Sequence, residues 1–192
     1  SYSSPTESEY RGYAELHRRA RAIASTLHSR GVSPGETALL ALLPGLAWPD
    51  AVFGALYAGL TIVPAPLGGY GAADDPGERL AALAVAAEAT LVITEEGALV
   101  RFADAIRSLP PIHLVDGLAA DGDPEAWTPP PITPDSIACL LFTSGSTGDP
   151  KGAIATHATL LAAADTCAEL LHMDTESVMV GWVPLHHSMG LT

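Results

Sequence analysis

Thr37-Ala38-Leu39-Leu40-Ala41-Leu42-Leu43 is an almost unbroken apolar run. A run this short and this uniformly apolar reads as a strand covered on both faces, as inside a parallel sheet. Its flanks agree. Upstream, residues 13–30 have helical spacing, with Leu16, Ala20, Ile23, Ala24 and Leu27 on one stripe and Arg18, Arg19 and Arg21 mostly off it. Gly31 suits a helix C-terminus, and Pro34-Gly35 a turn. Downstream, residues 49–59 read as a helix opened by Pro49, and 61–63 as a strand stopped by Pro64. The alternation continues with a helix over 77–88, a strand over 90–94, a helix over 96–108 and a strand over 112–115. Strands and helices in turn, joined by short links, imply an α/β fold: a mostly parallel sheet flanked by helices.

Residues 117–134 break the rhythm. They carry Pro124, Pro129, Pro130, Pro131 and Pro134 and show no periodicity, so they read as an ordered, Pro-rich surface connection. A strand over 136–142 follows, then an extended stretch over 153–156. A helix over 157–171 has Leu160, Leu161, Ala164, Ala168 and Leu171 as its apolar face, and a strand over 177–182 is closed by Pro184.

Of the 192 residues, 48% are apolar and 16% charged, enough apolar content for a sizeable core. The net charge of −13 disfavours nucleic acid and anionic lipid as partners. It does not exclude a nucleotide, because backbone N–H groups can hold phosphate. Cys139 and Cys167 lie in apolar runs without metal spacing and read as two buried, reduced thiols of a cytoplasmic protein. The apolar region from 51 to 66 is punctuated by Gly and Pro, so no membrane span is expected. The first residues lack the apolar core of a signal peptide. A chain that opens at Ser1 without Met and stops at Thr192 inside a motif is expected to be part of a longer one.

The segment richest in chemistry is Thr143-Ser144-Gly145-Ser146-Thr147-Gly148-Asp149-Pro150-Lys151-Gly152. Gly145 and Gly148 allow a sharp turn and a close approach to a ligand. Successive N–H groups in such a turn form an anion-binding concavity. Thr143, Ser144, Ser146 and Thr147 add hydroxyl donors, and Lys151 adds a charge for the phosphate end. Pro150 stiffens the loop before that lysine. A flexible Gly/Ser linker would sit between domains, whereas this loop sits between an apolar strand and an apolar helix. A Walker A loop needs Gly before its Lys and Ser or Thr after it; Pro150 and Gly152 stand there instead.

The segment resembles the phosphate loop of the adenylate-forming superfamily, which comprises acyl-CoA synthetases, fatty-acyl-AMP ligases, luciferases and nonribosomal peptide synthetase adenylation domains. Three further stretches agree in order and spacing. Tyr13-Ala14-Glu15-Leu16 resembles the first helix of the family. Ala55-Leu56-Tyr57-Ala58-Gly59, running on to Pro64, resembles an early segment. Gly181-Trp182-Val183-Pro184-Leu185-His186-His187-Ser188-Met189-Gly190-Leu191 resembles the acyl-pocket motif. The last two are most similar to the fatty-acyl-AMP ligase branch. That branch usually has Tyr where His186 stands, Asp where Ser188 stands, and Asn near Thr159.

The resemblance implies that residues 1–192 are the first, incomplete part of the large N-terminal domain of an acyl-adenylate-forming ligase. It implies ATP with Mg²⁺ as cofactors and a carboxylic acid, a fatty acid, as substrate. The acceptor would be an acyl carrier protein's phosphopantetheine or coenzyme A. Thr143, Ser144, Gly145, Ser146, Thr147, Gly148 and Lys151 would hold the ATP phosphates. His187, Trp182, Met189 and Gly190 would line the acyl pocket. The adenine contacts, the metal ligand and the C-terminal domain with its catalytic lysine fall outside these residues. No catalytic set is then complete, and the 192 residues alone are expected to be inactive. Other implied readings are an acyl-CoA synthetase, an amino-acid adenylation domain, and a non-catalytic remnant that binds only nucleotide or a partner.

Overall fold

The computed structural model describes residues 2–3, 8–67, 75–143, 151–181 and 183. A short antiparallel pair, β1 (Tyr2–Ser3) and β2 (Ser8–Glu9), precedes helix α1 (Tyr13–Ser29). Then come β3 (Thr37–Ala41), α2 (Ala47–Tyr57), β4 (Thr61–Pro64), α3 (Pro76–Ala86) and β5 (Leu91–Thr94). Next are α4 (Glu96–Leu99), β6 (Ile112–Leu114), α5 (Val115–Asp121), β7 (Ile137–Thr143), β8 (Lys151–Thr156) and α6 (His157–Leu170). Six strands form one sheet in the order β6-β5-β3-β4-β7-β8. β3 is parallel to both β4 and β5, β5 to β6, and β4 to β7, whereas β7 and β8 are antiparallel. The α/β reading therefore stands, with one antiparallel edge.

The central strands show why their sequence is apolar throughout. Along β3 and just beyond it, Ala38, Leu40 and Leu42 enter one core and Leu39 and Ala41 the other. Ile62 and Val63 of β4 divide in the same way, as do Ile93 and Val92 of β5. Side chains alternate across a strand, so a strand sandwiched between helices is apolar at every position. One core is closed by Ile23 and Leu27 of α1, Trp48 and Ala55 of α2, and Leu118 of α5. The other is closed by Leu80 and Ala84 of α3, with Ala98 and Phe102.

α1 and α2 meet closely at Gly54, where an added Cβ would fall 2.4 Å from Ile23 Cγ2. Beside this crossing, buried Asp50 accepts from Arg11 at 2.9 Å and from Arg19 at 2.7 Å. Burial raises the Asp50 pKa against the opposing pull of Arg19 and Arg11. Arg19 reaches on to Asp116 at 2.8 Å and so ties α1 to α5. The sequence placed Arg19 off the apolar stripe, and the structure gives it a buried partner.

Four expectations are corrected. The helix expected over 96–108 is two pieces: α4, then a 3-10 helix over Ala103–Ser108. The tighter winding brings the Ala105 methyl to 2.7 Å from where a Cβ of Gly77 would sit, a space only glycine leaves open. The connection over 117–134 opens inside α5, whose Val115, Leu118 and Ala119 are buried at helical spacing. The rest is pinned by Trp127, which stacks on Tyr57 at 5.1 Å and donates from Nε1 to the Tyr57 carbonyl at 2.9 Å. The strand expected over 177–182 is absent from 177–181, which pair with no strand among the described residues. Finally, Cys139 is buried but Cys167 is exposed, because the outer side of α6 is uncovered. Of the expected α6 face, Leu160 packs on the core and Leu161 is 66% exposed.

Candidate functional site

The glycine- and hydroxyl-rich loop joins β7 to β8. The two strands form one antiparallel ladder that runs from Ile137 opposite Thr156 to Thr143 opposite Lys151. A link of this length cannot carry a parallel crossover, which needs about a dozen residues or more. The antiparallel return was therefore readable from the loop's length. β7 runs parallel to β4 with Ile62 opposite Cys139. Thr143 lies four residues further on, about 13 Å at the rise of a strand. It thus projects at the carboxyl edge of the parallel strands, the edge at which open α/β sheets bind ligands.

The two strands of the hairpin are held at several points. At its base, Thr61 Oγ1 donates to the Ile137 carbonyl at 3.2 Å. The first turn of α6 donates back across the base, from His157 N to the Ser136 carbonyl at 3.1 Å and from Ala158 N to the Pro134 carbonyl at 2.8 Å. The Thr156 hydroxyl caps the same helix by accepting from Thr159 N at 3.2 Å. Near the tip, Phe142 faces Gly152, and a Cβ at 152 would meet the Phe142 ring at 3.2 Å. Gly152 thus leaves the Phe142 ring room at the last rung but one. The sequence reading had grouped it with the phosphate loop. A rigid mount of this kind is what a loop needs if its N–H groups are to be preset for a charged ligand.

For Thr143 and Lys151 the backbone register is as given above. Ser144, Gly145, Ser146, Thr147 and Gly148 lie outside the described residues. So do Trp182, His187, Met189 and Gly190, so the structure neither brings the phosphate and acyl groups of residues together nor separates them.

Other chemistry near the hairpin is limited. Cys139, on β7, is buried, and its thiol is pushed up to about 12, so it stays protonated at neutral pH. At the same carboxyl edge, Glu95 Oε1 accepts from Leu43 N at 2.7 Å and ties the exit of β5 to that of β3. Burial raises the Glu95 pKa, partly offset by that N–H. Among the described residues no group of three or more His, Cys, Asp or Glu could hold a metal ion. No described helix is long and apolar enough to cross a membrane. A groove of about 360 Å³, lined by Pro34, Gly59, Thr61, Ile132 and Ile137, opens where β3, β4 and β7 begin, at the edge opposite the hairpin tip.

Comparison with known proteins agrees with this geometry. A family model described as AMP-binding enzyme matches residues 3–192. The medium-chain-fatty-acid–[acyl-carrier-protein] ligase JamA of Moorena producens is 33% identical over 190 residues, spanning 93% of this chain and 31% of that protein. Pyochelin synthetase PchE of Pseudomonas aeruginosa is 36% identical over 160 residues, spanning 83% of this chain and 10% of that protein. Among solved structures, the fatty acyl-adenylate ligase from L. pneumophila, in complex with acyl adenylate and pyrophosphate, superposes with a TM-score of 0.84 at 30% identity. It covers 98% of this chain and 32% of that one. The chain thus spans about a third of JamA and of the L. pneumophila ligase, and a tenth of PchE.

Proposed function

The chain belongs to the AMP-binding enzyme family, and from that premise we infer that it forms the ATP-phosphate-gripping part of a fatty-acyl-AMP ligase. In this reading a fatty-acid carboxylate attacks the α-phosphorus of ATP. The bond to the bridging oxygen breaks, and pyrophosphate leaves with acyl-AMP formed. The sulfur of a carrier protein's phosphopantetheine, or of coenzyme A, then attacks the acyl carbon and AMP departs. Such an enzyme works in the cytoplasm, where ATP and its thiol acceptors are found.

The observation that carries the reading is the hairpin: a loop of glycines and hydroxyls whose ends, Thr143 and Lys151, are held opposite each other at the sheet's carboxyl edge. The donor set fits a polyphosphate. Hydroxyls of Thr143, Ser144, Ser146 and Thr147 and the loop N–H groups donate to phosphate oxygens, Gly145 and Gly148 permit close approach, and Lys151 offsets the charge growing on pyrophosphate. Mg²⁺, bound with ATP, would supply further neutralisation of phosphate charge. In this reading His187 would line the carboxylate end of the acyl site, and Trp182, Met189 and Gly190 would line its pocket. Similarity to JamA and to the L. pneumophila ligase supports a fatty acid as the substrate.

A second reading, amino-acid adenylation, is favoured by similarity to the nonribosomal peptide synthetase otaB, which, like pyochelin synthetase PchE, is 36% identical. Carboxylate-dependent pyrophosphate exchange across a panel of fatty and amino acids separates the two. The loop is tested by Lys151→Ala in the intact enzyme that carries this segment. Adenylation should slow about 100-fold or more, the order lost with one preset charge stabiliser. Thiol transfer from preformed acyl-AMP should change far less, because it handles no pyrophosphate. Equal losses in the two half-reactions would overturn the assignment of Lys151.

A further inference from the structure

We propose that Phe142 is a positioning residue for adenylation: its ring, laid against Gly152, holds the first residues of β8 in place and so presets Lys151. The proposal rests on the reading of Lys151 as a phosphate ligand and names the side chain on which that lysine's placement depends.

β8 needs such a hold at its start. Gly152 has no side chain, and Ala153 and Ile154 are exposed, so the first residue of β8 beyond Lys151 to be buried is Ala155. It lies four residues on, about 13 Å along the strand. Gly152 also loosens the strand locally, because glycine has the most backbone freedom to lose on ordering and nothing to pack. Among the described residues, β7 is the single neighbour of β8 in the sheet.

Phe142 supplies the missing packing. It stands opposite Gly152 in the ladder, one rung before Thr143 opposite Lys151. Its Cζ, Cε1 and Cε2 lie 3.2, 3.4 and 3.5 Å from where a Cβ of Gly152 would be, so the end of the ring takes the place of the absent side chain. The same side chain packs against the core that holds Leu39, Val63 and Leu80. The ring therefore couples a rigid interior to a bare edge at the point where the phosphate loop re-enters the sheet. An aromatic ring set across from a strand glycine restores order of this kind. Leucine at 142 would stay apolar but has no atoms at the Cε and Cζ positions, the ones that reach Gly152. Tyrosine keeps all three.

The test is made in the intact enzyme that carries this segment, with both half-reactions measured. Phe142→Leu should slow adenylation about 10- to 100-fold, the order lost when a group in a site is misplaced by about 1 Å. Thiol transfer from preformed acyl-AMP should change by less than about twofold, and Phe142→Tyr should keep adenylation within about twofold of the parent. In a Lys151→Ala background, Phe142→Leu should add less than about twofold, because the residue it positions is gone. Equal losses in the two half-reactions, or an effect that multiplies in full with that of Lys151→Ala, overturn the proposal. Should Phe142→Leu not fold, Gly152→Ala decides, since its methyl presses the same ring from the other strand. A loss confined to adenylation and absent in the Lys151→Ala background supports the proposal, and an equal loss in both half-reactions refutes it. Lys151→Ala with no selective loss of adenylation removes the phosphate reading and the positioning together. A selective loss there, with Phe142→Leu unselective, removes the positioning alone.

Discussion

Replacing Gly54 by Ala tests the packing that seats α1 and α2 on the sheet. The new Cβ would lie 2.4 Å from Ile23 Cγ2, 2.8 Å from its Cβ and 3.0 Å from its Cδ1. Carbon atoms rest about 3.5–4.0 Å apart, so the nearest pair must separate by about 1.1 Å or more. Ile23 is fully buried. As a β-branched residue in a helix it has essentially one rotamer, so it cannot turn aside. The helices must part instead, at about 3 kcal/mol, the upper end of the cost of overpacking. Against this, Ala is better than Gly inside a helix by about 1 kcal/mol. The net loss of about 2 kcal/mol should lower the melting temperature by about 4–8 °C for a chain of this size. Ile23→Ala alone should cost about 2–5 kcal/mol by leaving a cavity. With both changes, the methyl at 54 occupies part of the space that Ile23 vacates, so the double variant should be less destabilised than the sum of the singles by at least about 1 kcal/mol. Denaturation of all four proteins completes the cycle. Additive losses, or a Gly54→Ala variant as stable as its parent, would show that the close crossing is not what fixes α1 on α2.

Three further outcomes are expected. Glu95 has its pKa raised above the usual 4.5 by burial, with Asp116 and Glu9 adding to the shift. The folded state therefore holds this proton more tightly than the unfolded state does. The resulting stability is fully present below 4.5 and is lost as pH rises through the higher folded value. Glu95→Gln keeps an acceptor for Leu43 N, so its melting temperature should gain on the parent between pH 4 and pH 7; a constant difference would refute this. Iodoacetamide at neutral pH should modify exposed Cys167 and spare Cys139, as read by mass spectrometry, until the chain is unfolded. In the intact enzyme, His187→Ala should alter which carboxylic acids drive pyrophosphate exchange while leaving the KM for ATP within about threefold; an unchanged acid profile assigns His187 to packing.

The same physics explains which parts of this molecule its sequence disclosed. β3, β4 and β5 were legible because each is buried on both faces, and that burial writes itself as runs such as Ala38-Leu39-Leu40-Ala41. α1 was legible because burial on one side writes a stripe. α5 was obscured by register rather than by weak signal: its buried Val115, Leu118 and Ala119 have helical spacing, but Val115 was counted into the preceding strand. The break between α4 and the following 3-10 helix depends on the space beside Gly77, a contact between distant parts of the chain that no local pattern records. Asp50 and Arg19 mislead in the same way, since a charged residue reads as surface until its partner is placed.

For the candidate site, composition disclosed the loop, whereas its mounting had to be seen. The Phe142 ring over Gly152 and the α6 amides on Pro134 and Ser136 hold both strands of the hairpin before the loop begins. Such a mount fixes both ends of the loop, which lowers the entropy that binding would cost relative to a linker with free ends. Residues 177–181 show the converse. Their sequence describes a buried strand, yet among the described residues no strand pairs with them.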